Sequence, residues 1–282
     1  MAIVRNSALC PNCRKLISLD EEVCPYCGLS RPGARWKHTG LMRALGDGAA
    51  LIRILIYVNI AVYVYTLVLG YLLGGGLGGF GAFNLLSPSG MSLMLAGASG
   101  TQPIAVFGRW WTLLTANYLH GGILHIAFNM LAIYQVGPLV AREFGSYRLF
   151  TIYTLAGVFG YVVSYFAGVP FTIGASAALC GLLGAALYYG KSRWGAYGDN
   201  IFRTIGGWII ANFIFGFVVP GINNWAHAGG IVAGIVVGFL LGYNDRKRET
   251  FGHKMLAGAC ALATIAALGW GIGTSFLAVL SR

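Results

Sequence analysis

Ser176, His227, His125 and Asn129 are the side chains of this sequence best suited to act on a reaction together. A serine hydroxyl becomes a nucleophile when an imidazole takes its proton, and histidine, with an ordinary pKa of about 6.5, does this near neutrality. His125 and Asn129 are four residues apart and share one face of a helix. All four sit in apolar sequence, where an unsatisfied polar group costs several kcal/mol. A hydroxyl, two imidazoles and an amide at one depth therefore predict a nucleophile, its base and an oxyanion cradle.

The elements that hold them are membrane helices. Of the 282 residues 57% are hydrophobic and 10% charged, with a mean hydropathy of +0.71, which excludes an ordinary soluble domain. Apolar runs predict seven spans, at Ile54–Leu73, Leu124–Val140, Leu149–Ala167, Ala175–Tyr189, Ile205–Val219, Trp225–Tyr243 and Met255–Leu280. The fourth and fifth are short for a bilayer and call for shielding by neighbours. No cleavable signal is expected, and the first span serves as an uncleaved one. The segment from Gly74 to Gly122, glycine-rich at its start and carrying Trp110-Trp111 near its end, is expected to lie partly in the interface as short helices.

With the N-terminus in the cytosol, every Lys and Arg except Arg109 and Arg282 falls on the inner side, as the positive-inside rule requires. The net charge of +11 is then a topology signal that also attracts anionic headgroups, and nucleic acid is not an expected partner. Spans two, four and six run from outside to inside, and they begin near His125, Ser176 and His227. Asp20, Glu21, Glu22, Asp47, Glu143, Asp199, Asp245 and Glu249 all fall on the cytosolic side. The expected site is thus a Ser176–His227 dyad without a carboxylate. Ser176 follows Gly174-Ala175 at a helix start, where free N–H groups suit a developing oxyanion. Gly230, Gly234 and Gly238 predict a ridge that brings span six close to Gly174, Gly181 and Gly184 of span four. Taken singly, Ser176 reads as a helix cap, His227 as a structural histidine and Asn129 as interhelical glue. Asn59, Gln135 and Asn212 also read as interhelical hydrogen bonders, and His38 and His253 as solvated linker residues.

Over about residues 50–245 the sequence resembles the rhomboid family of intramembrane serine proteases. The resemblance rests on His120-Gly-Gly-Ile-Leu-His125-Ile-Ala-Phe-Asn129, Gly174-Ala-Ser176 and Ala226-His227-Ala-Gly-Gly230 with Gly234. It implies Ser176 as nucleophile, His227 as base, and His125, Asn129 and the Ser176 backbone N–H as oxyanion donors. It implies an all-α polytopic fold, a six-helix rhomboid core (50–245) followed by a basic loop and a seventh transmembrane helix (246–282). It also implies hydrolysis of single-span transmembrane substrates delivered sideways near the fifth helix. Three positions depart from the family pattern. Ala177 replaces the usual glycine after the serine, Cys180 replaces an aromatic, and Thr112 follows Trp111 where the family has arginine. They feed a rival reading, an inactive rhomboid-like protein that binds transmembrane clients. A transporter is a weaker rival, because no inverted repeat is visible.

Residues 1–40 form a separate cytosolic unit, a zinc ribbon and basic linker. Cys10-Pro-Asn-Cys13 and Cys24-Pro-Tyr-Cys27 are paired CxxC turns that offer four thiolates to a structural zinc. Two disulfides are the alternative, disfavoured in a reducing cytosol. So small a unit needs the metal to fold, whereas catalysis needs no cofactor. A cytosolic docking partner is the expected use of the ribbon. Cys180 and Cys260 are expected as buried core thiols, and the plasma membrane is the expected location.

Overall fold

The computed structural model describes residues 7–34 except 12 and 14, then 45–75, 85–246 and 248–281. The basic linker at 35–44, with Lys37 and His38, and the glycine run at 76–79 lie outside the described residues.

The N-terminal unit is a pair of knuckles. Strands β1 (Ser7–Leu9) and β2 (Leu16–Ser18) pair antiparallel, with Ser7 opposite Ser18 and Leu9 opposite Leu16. The Cys10 N–H donates to Lys15 O at 2.8 Å, and the Cys24 N–H donates to Leu29 O at 2.8 Å. Each CxxC thus sits at the start of a tight turn, and Gly28 supplies the left-handed residue after the second (φ +71°). Ile17 and Leu29 bury against Cys10 and Cys24, and Phe251 packs on the same cluster.

Nine helices follow among the described residues. They are α1 (Gly48–Leu72), α2 (Gly90–Ala96), α3 (Thr112–Thr115), α4 (Ile123–Phe144), α5 (Ser146–Phe166), α6 (Ser176–Ser192), α7 (Ala196–Val218), α8 (Asn224–Leu241) and α9 (Phe251–Leu280). All but α2, α3 and α6 are long and apolar enough to cross a membrane. At 17 residues, α6 is about 26 Å long. It is surrounded by α4, α5, α7 and α8, the shielding that a short span requires. The segment before α4 is built of α2, a π turn at Gln102–Val106, α3 and a 3₁₀ turn at Ala116–Tyr118. This matches the expected short helices and packs on α1, α5 and α9.

Two expectations need correction here. The fifth span is not short, since α7 has 23 residues and begins at Ala196. Its first turns carry Asp199, Asn200 and Arg203, so an apolar window misses them. His253 is buried and accepts the Thr250 N–H at 2.9 Å in a capping box that starts α9, so it is not a solvated linker residue.

The glycine seam brings α6 and α8 to backbone contact. A Cβ on Gly230 would strike Ala177 O, one on Gly234 would strike Gly181 O, and one on Gly184 would strike Ile231 O. A Cβ on Gly238 would lie 3.3 Å from Ala185 Cβ. Gly174 is not part of this seam. Its left-handed backbone (φ +127°) turns its open face toward His125.

At the bundle end opposite Ser176, Glu249 reaches from the α8–α9 loop over Gly145, where no Cβ would fit. Its Oε1 accepts the Arg148 N–H at 3.0 Å and so caps the start of α5.

Candidate active site

The site is assembled by the segments that precede α4, α6 and α8. Ser176 is the first residue of α6, so its backbone N–H has no acceptor within the helix. The turn before it is held by Tyr161 of α5, whose buried hydroxyl donates to Gly174 O at 2.5 Å and to Ala116 O at 3.3 Å. The Gly174 N–H in turn donates to Ala116 O at 2.9 Å. Thr172 and Ser99 exchange two backbone hydrogen bonds at 2.8 and 3.0 Å, which ties the same segment to the loop between α2 and α3.

His227 stands one turn into α8. Its Nε2 lies 2.9 Å from Ser176 Oγ, the reach of a general base for the hydroxyl proton. Nδ1 is buried and has no hydrogen-bond partner among the described residues. Ser176 is half-buried and His227 is buried. The hydroxyl is thus partly open to its surroundings while the imidazole is shielded.

His125 closes the opposite side. Its Nδ1 accepts the Gly121 N–H at 3.2 Å, so in the neutral ring the proton resides on Nε2. Nε2 would lie 2.8 Å from a Cβ on Gly174, and that same point is 3.5 Å from Ser176 Oγ. A donor N–H and the serine hydroxyl therefore border the space that Gly174 leaves open. Tyr63 of α1 hydrogen-bonds Leu86 O at 2.5 Å, and Ser87 hydrogen-bonds Gly121 O, so the His125 turn is anchored from behind. His120 packs edge-on against the His125 ring at 5.0 Å.

Asn129 lies one turn further along α4, and its Nδ2 donates to His125 O at 2.8 Å. One N–H of the amide is thus spent on its own helix, while Oδ1 has no partner among the described residues.

The departures have identifiable surroundings. The fully buried Ala177 methyl faces Gly160 of α5, where an added Cβ would be 3.1 Å away. Cys180 contacts Asn212 of α7 at 3.9 Å. Thr112 caps its own turn through Arg109 O at 2.7 Å and meets Ser99 Oγ at 3.4 Å.

A model of the Rhomboid domain matches residues 107–244. Residues 107–244 of the membrane core are a Rhomboid domain. The matched span contains His125, Asn129, Ser176 and His227. Rhomboid protease GluP of Bacillus subtilis (strain 168) is 40% identical over 173 residues, which are 61% of this chain and 33% of that protein. RHOMBOID-like protein 4 of Arabidopsis thaliana is 32% identical over 205 residues, 68% of this chain and 52% of that protein. RHOMBOID-like protein 5 of the same plant is 36% identical over 182 residues, 61% and 58% respectively. The chain thus spans between a third and three-fifths of the length of these relatives.

Outside the Rhomboid domain, the four ribbon cysteines form a second centre. None of the four is in a disulfide, their Sγ atoms lie within 4.8 Å of one another, and they can hold a metal ion. Cys10 and Cys27 are 3.7 Å apart, as are Cys13 and Cys24.

Sequence reasoning missed Tyr161, Gly121 and Asn223. Asn223 carried a legible signal as a polar residue just before an apolar helix. Tyr161 acts on backbone carbonyls distant in sequence, and Gly121 acts through its own N–H on His125 four residues on, so neither side-chain type announces the role.

Proposed function

We propose that this chain is an intramembrane serine endopeptidase. The 2.9 Å contact between Ser176 Oγ and His227 Nε2, at a helix start and opposite the His125 donor, carries the reading. Ser176 Oγ attacks the scissile carbonyl carbon while its proton passes to His227 Nε2. The oxygen of the carbonyl becomes an oxyanion and takes hydrogen bonds from His125 Nε2–H, the Ser176 backbone N–H and the remaining Asn129 N–H. The C–N bond then breaks, His227 returns the proton to the leaving amine, and water hydrolyses the acyl-serine by the same route. Preorganised donors of this kind are worth about 10²–10³ in rate each. The substrates are single-span membrane proteins that enter between α4 and α7, where Phe128 and Phe215 meet edge to face at 6.4 Å. The space opposite Ala177 left by Gly160 supports this reading over a client binder without activity.

The arginine and lysine distribution supports a cytosolic N-terminus and a site on the outer side, and the plasma membrane is the proposed location. Zinc is the metal proposed for the ribbon. Four sulfurs at the Zn–S bond length of about 2.3 Å stand about 3.8 Å apart in a tetrahedron, which the 3.7 Å separations approach. The zinc would supply folding energy and take no part in the reaction.

The test is fluorophosphonate labelling of the detergent-solubilised chain beside Ser176→Ala and His227→Ala. Labelling of wild type alone is expected. No labelling of a folded wild type would overturn the protease reading and move the assignment to client binding.

A further inference from the structure

The nucleophile and base sit on different helices, so something must fix the distance between them. The glycine seam sets how close α6 and α8 run but leaves their sliding and the entry of α8 undetermined. One side chain ties the entry of α8 to the segments beside it. Asn223 is the N-cap of α8, and its Oδ1 accepts the Ala226 N–H at 3.1 Å. Its Nδ2 donates to Ser164 Oγ of α5 at 2.6 Å and to Thr172 Oγ1 at 2.9 Å. Its own carbonyl accepts the His227 N–H at 3.2 Å. Both amide N–H bonds and the amide oxygen are therefore used, which fixes the orientation of the group.

The partners give this junction its meaning. Ser164 is fully buried and Thr172 nearly so. Thr172 lies four residues before Ser176 and is paired with Ser99 on its backbone side. A single amide thus joins the first turn of α8, the end of α5 and the segment that leads to Ser176. An ordinary cap needs only the bond to Ala226. The two bonds to hydroxyls from other elements go beyond capping.

We propose that Asn223 is a positioning residue that sets the Ser176–His227 separation by clamping the start of α8 to Ser164 and Thr172. The proposal rests on the protease reading of that pair. Removing the clamp lets α8 shift at its free end, where His227 stands, and displacements of about 1 Å at reacting groups cost about 10²-fold.

Fluorophosphonate inactivation kinetics on the full chain separate the clamp from the cap. Asn223→Ser keeps an oxygen for the Ala226 N–H but is too short to bridge. It should lower kinact by about 10-fold or more with KI within about twofold and the thermal midpoint little changed. Ser164→Ala with Thr172→Val removes the clamp from the other side and leaves the cap intact. It should produce the same loss, and adding Asn223→Ser to it should cost nothing further. Asn223→Asp should restore kinact, because both hydroxyls can turn to donate to the carboxylate. Wild-type kinact in Asn223→Ser, or losses that multiply in the combined variant, would overturn the clamp alone. A folded wild type that fails to label would overturn the clamp and the protease reading together.

Discussion

Ala177 and Gly160 fit each other across the α5–α6 contact: the methyl of one occupies the room left by the missing side chain of the other. A Cβ on Gly160 would lie 3.1 Å from the Ala177 methyl and 2.6 Å from Ala226 O. The extra methyl after Ser176 is therefore packed and does not push the helices apart. Ala177→Gly should lower stability by about 1–2 kcal/mol, from the lost methyl and the flexible residue, without speeding serine labelling. Gly160→Ala should destabilise by about 1–3 kcal/mol through overpacking. Thermal unfolding in detergent beside labelling rates checks both, and faster labelling of Ala177→Gly would contradict the packing argument.

Phe128 of α4 and Phe215 of α7 touch through ring edges, and both are about half exposed on the side of the bundle. A bifunctional cross-link between cysteines placed at these two positions should abolish cleavage of a membrane-embedded substrate. Labelling by a small fluorophosphonate should continue, since it reaches Ser176 without parting the helices. Full cleavage with the cross-link in place would exclude this entry route.

The ribbon should bind one zinc per chain, measured by elemental analysis of the purified protein, and Cys10→Ser with Cys24→Ser should lose it. Deleting residues 1–40 should leave serine labelling within about twofold of wild type, because the metal takes no part in the proposed reaction. The contact of Phe251 with the ribbon core makes a fall in thermal stability the expected cost. Complete loss of labelling in a folded deletion would tie the ribbon to the chemistry.

Burial pushes the Glu249 carboxyl up, against the Arg148 and Tyr147 backbone N–H groups and the charges of Arg148 and Lys254 that pull it down. A carboxyl raised on folding stabilises most while protonated. That contribution is complete below its unfolded pKa and is lost as pH rises through its folded one. Against Glu249→Gln, which does not titrate, wild type should gain relative stability as pH falls from neutral toward the ordinary carboxylate range. Thermal midpoints of the two across that range give the sign, and the opposite slope would mean that the cations prevail.

The spans were readable because apolar length and cationic flanks are local properties. The α7 start at Ala196 was not, since Asp199 and Arg203 give its first turns a loop-like composition. The meeting of Ser176 and His227 could be anticipated from alternating topology and the glycines at 230 and 234. The fate of Gly174 could not, because His125 reaches it from a different helix. The same holds for Asn223, Ser164 and Thr172. Asn223 reads as a helix cap and the other two are unremarkable in their own segments, and their joint role arises only where three segments converge. Asn129 was placed correctly on the His125 face by its spacing, yet its bond to the His125 carbonyl depends on a rotamer that spacing does not determine.

His227 Nδ1 meets no carboxylate among the described residues, and this has an electrostatic consequence. A hydroxyl, two imidazoles and an amide can rest with no net charge between them. Ions drawn from water into an apolar bundle each carry a solvation penalty of several kcal/mol, and a centre of this kind avoids it until a substrate arrives. Charge would then appear only as a transient pair, imidazolium beside oxyanion, created together and extinguished together. The outer layer around these four side chains would have to tolerate a dipole for the lifetime of an intermediate and never a permanent ion.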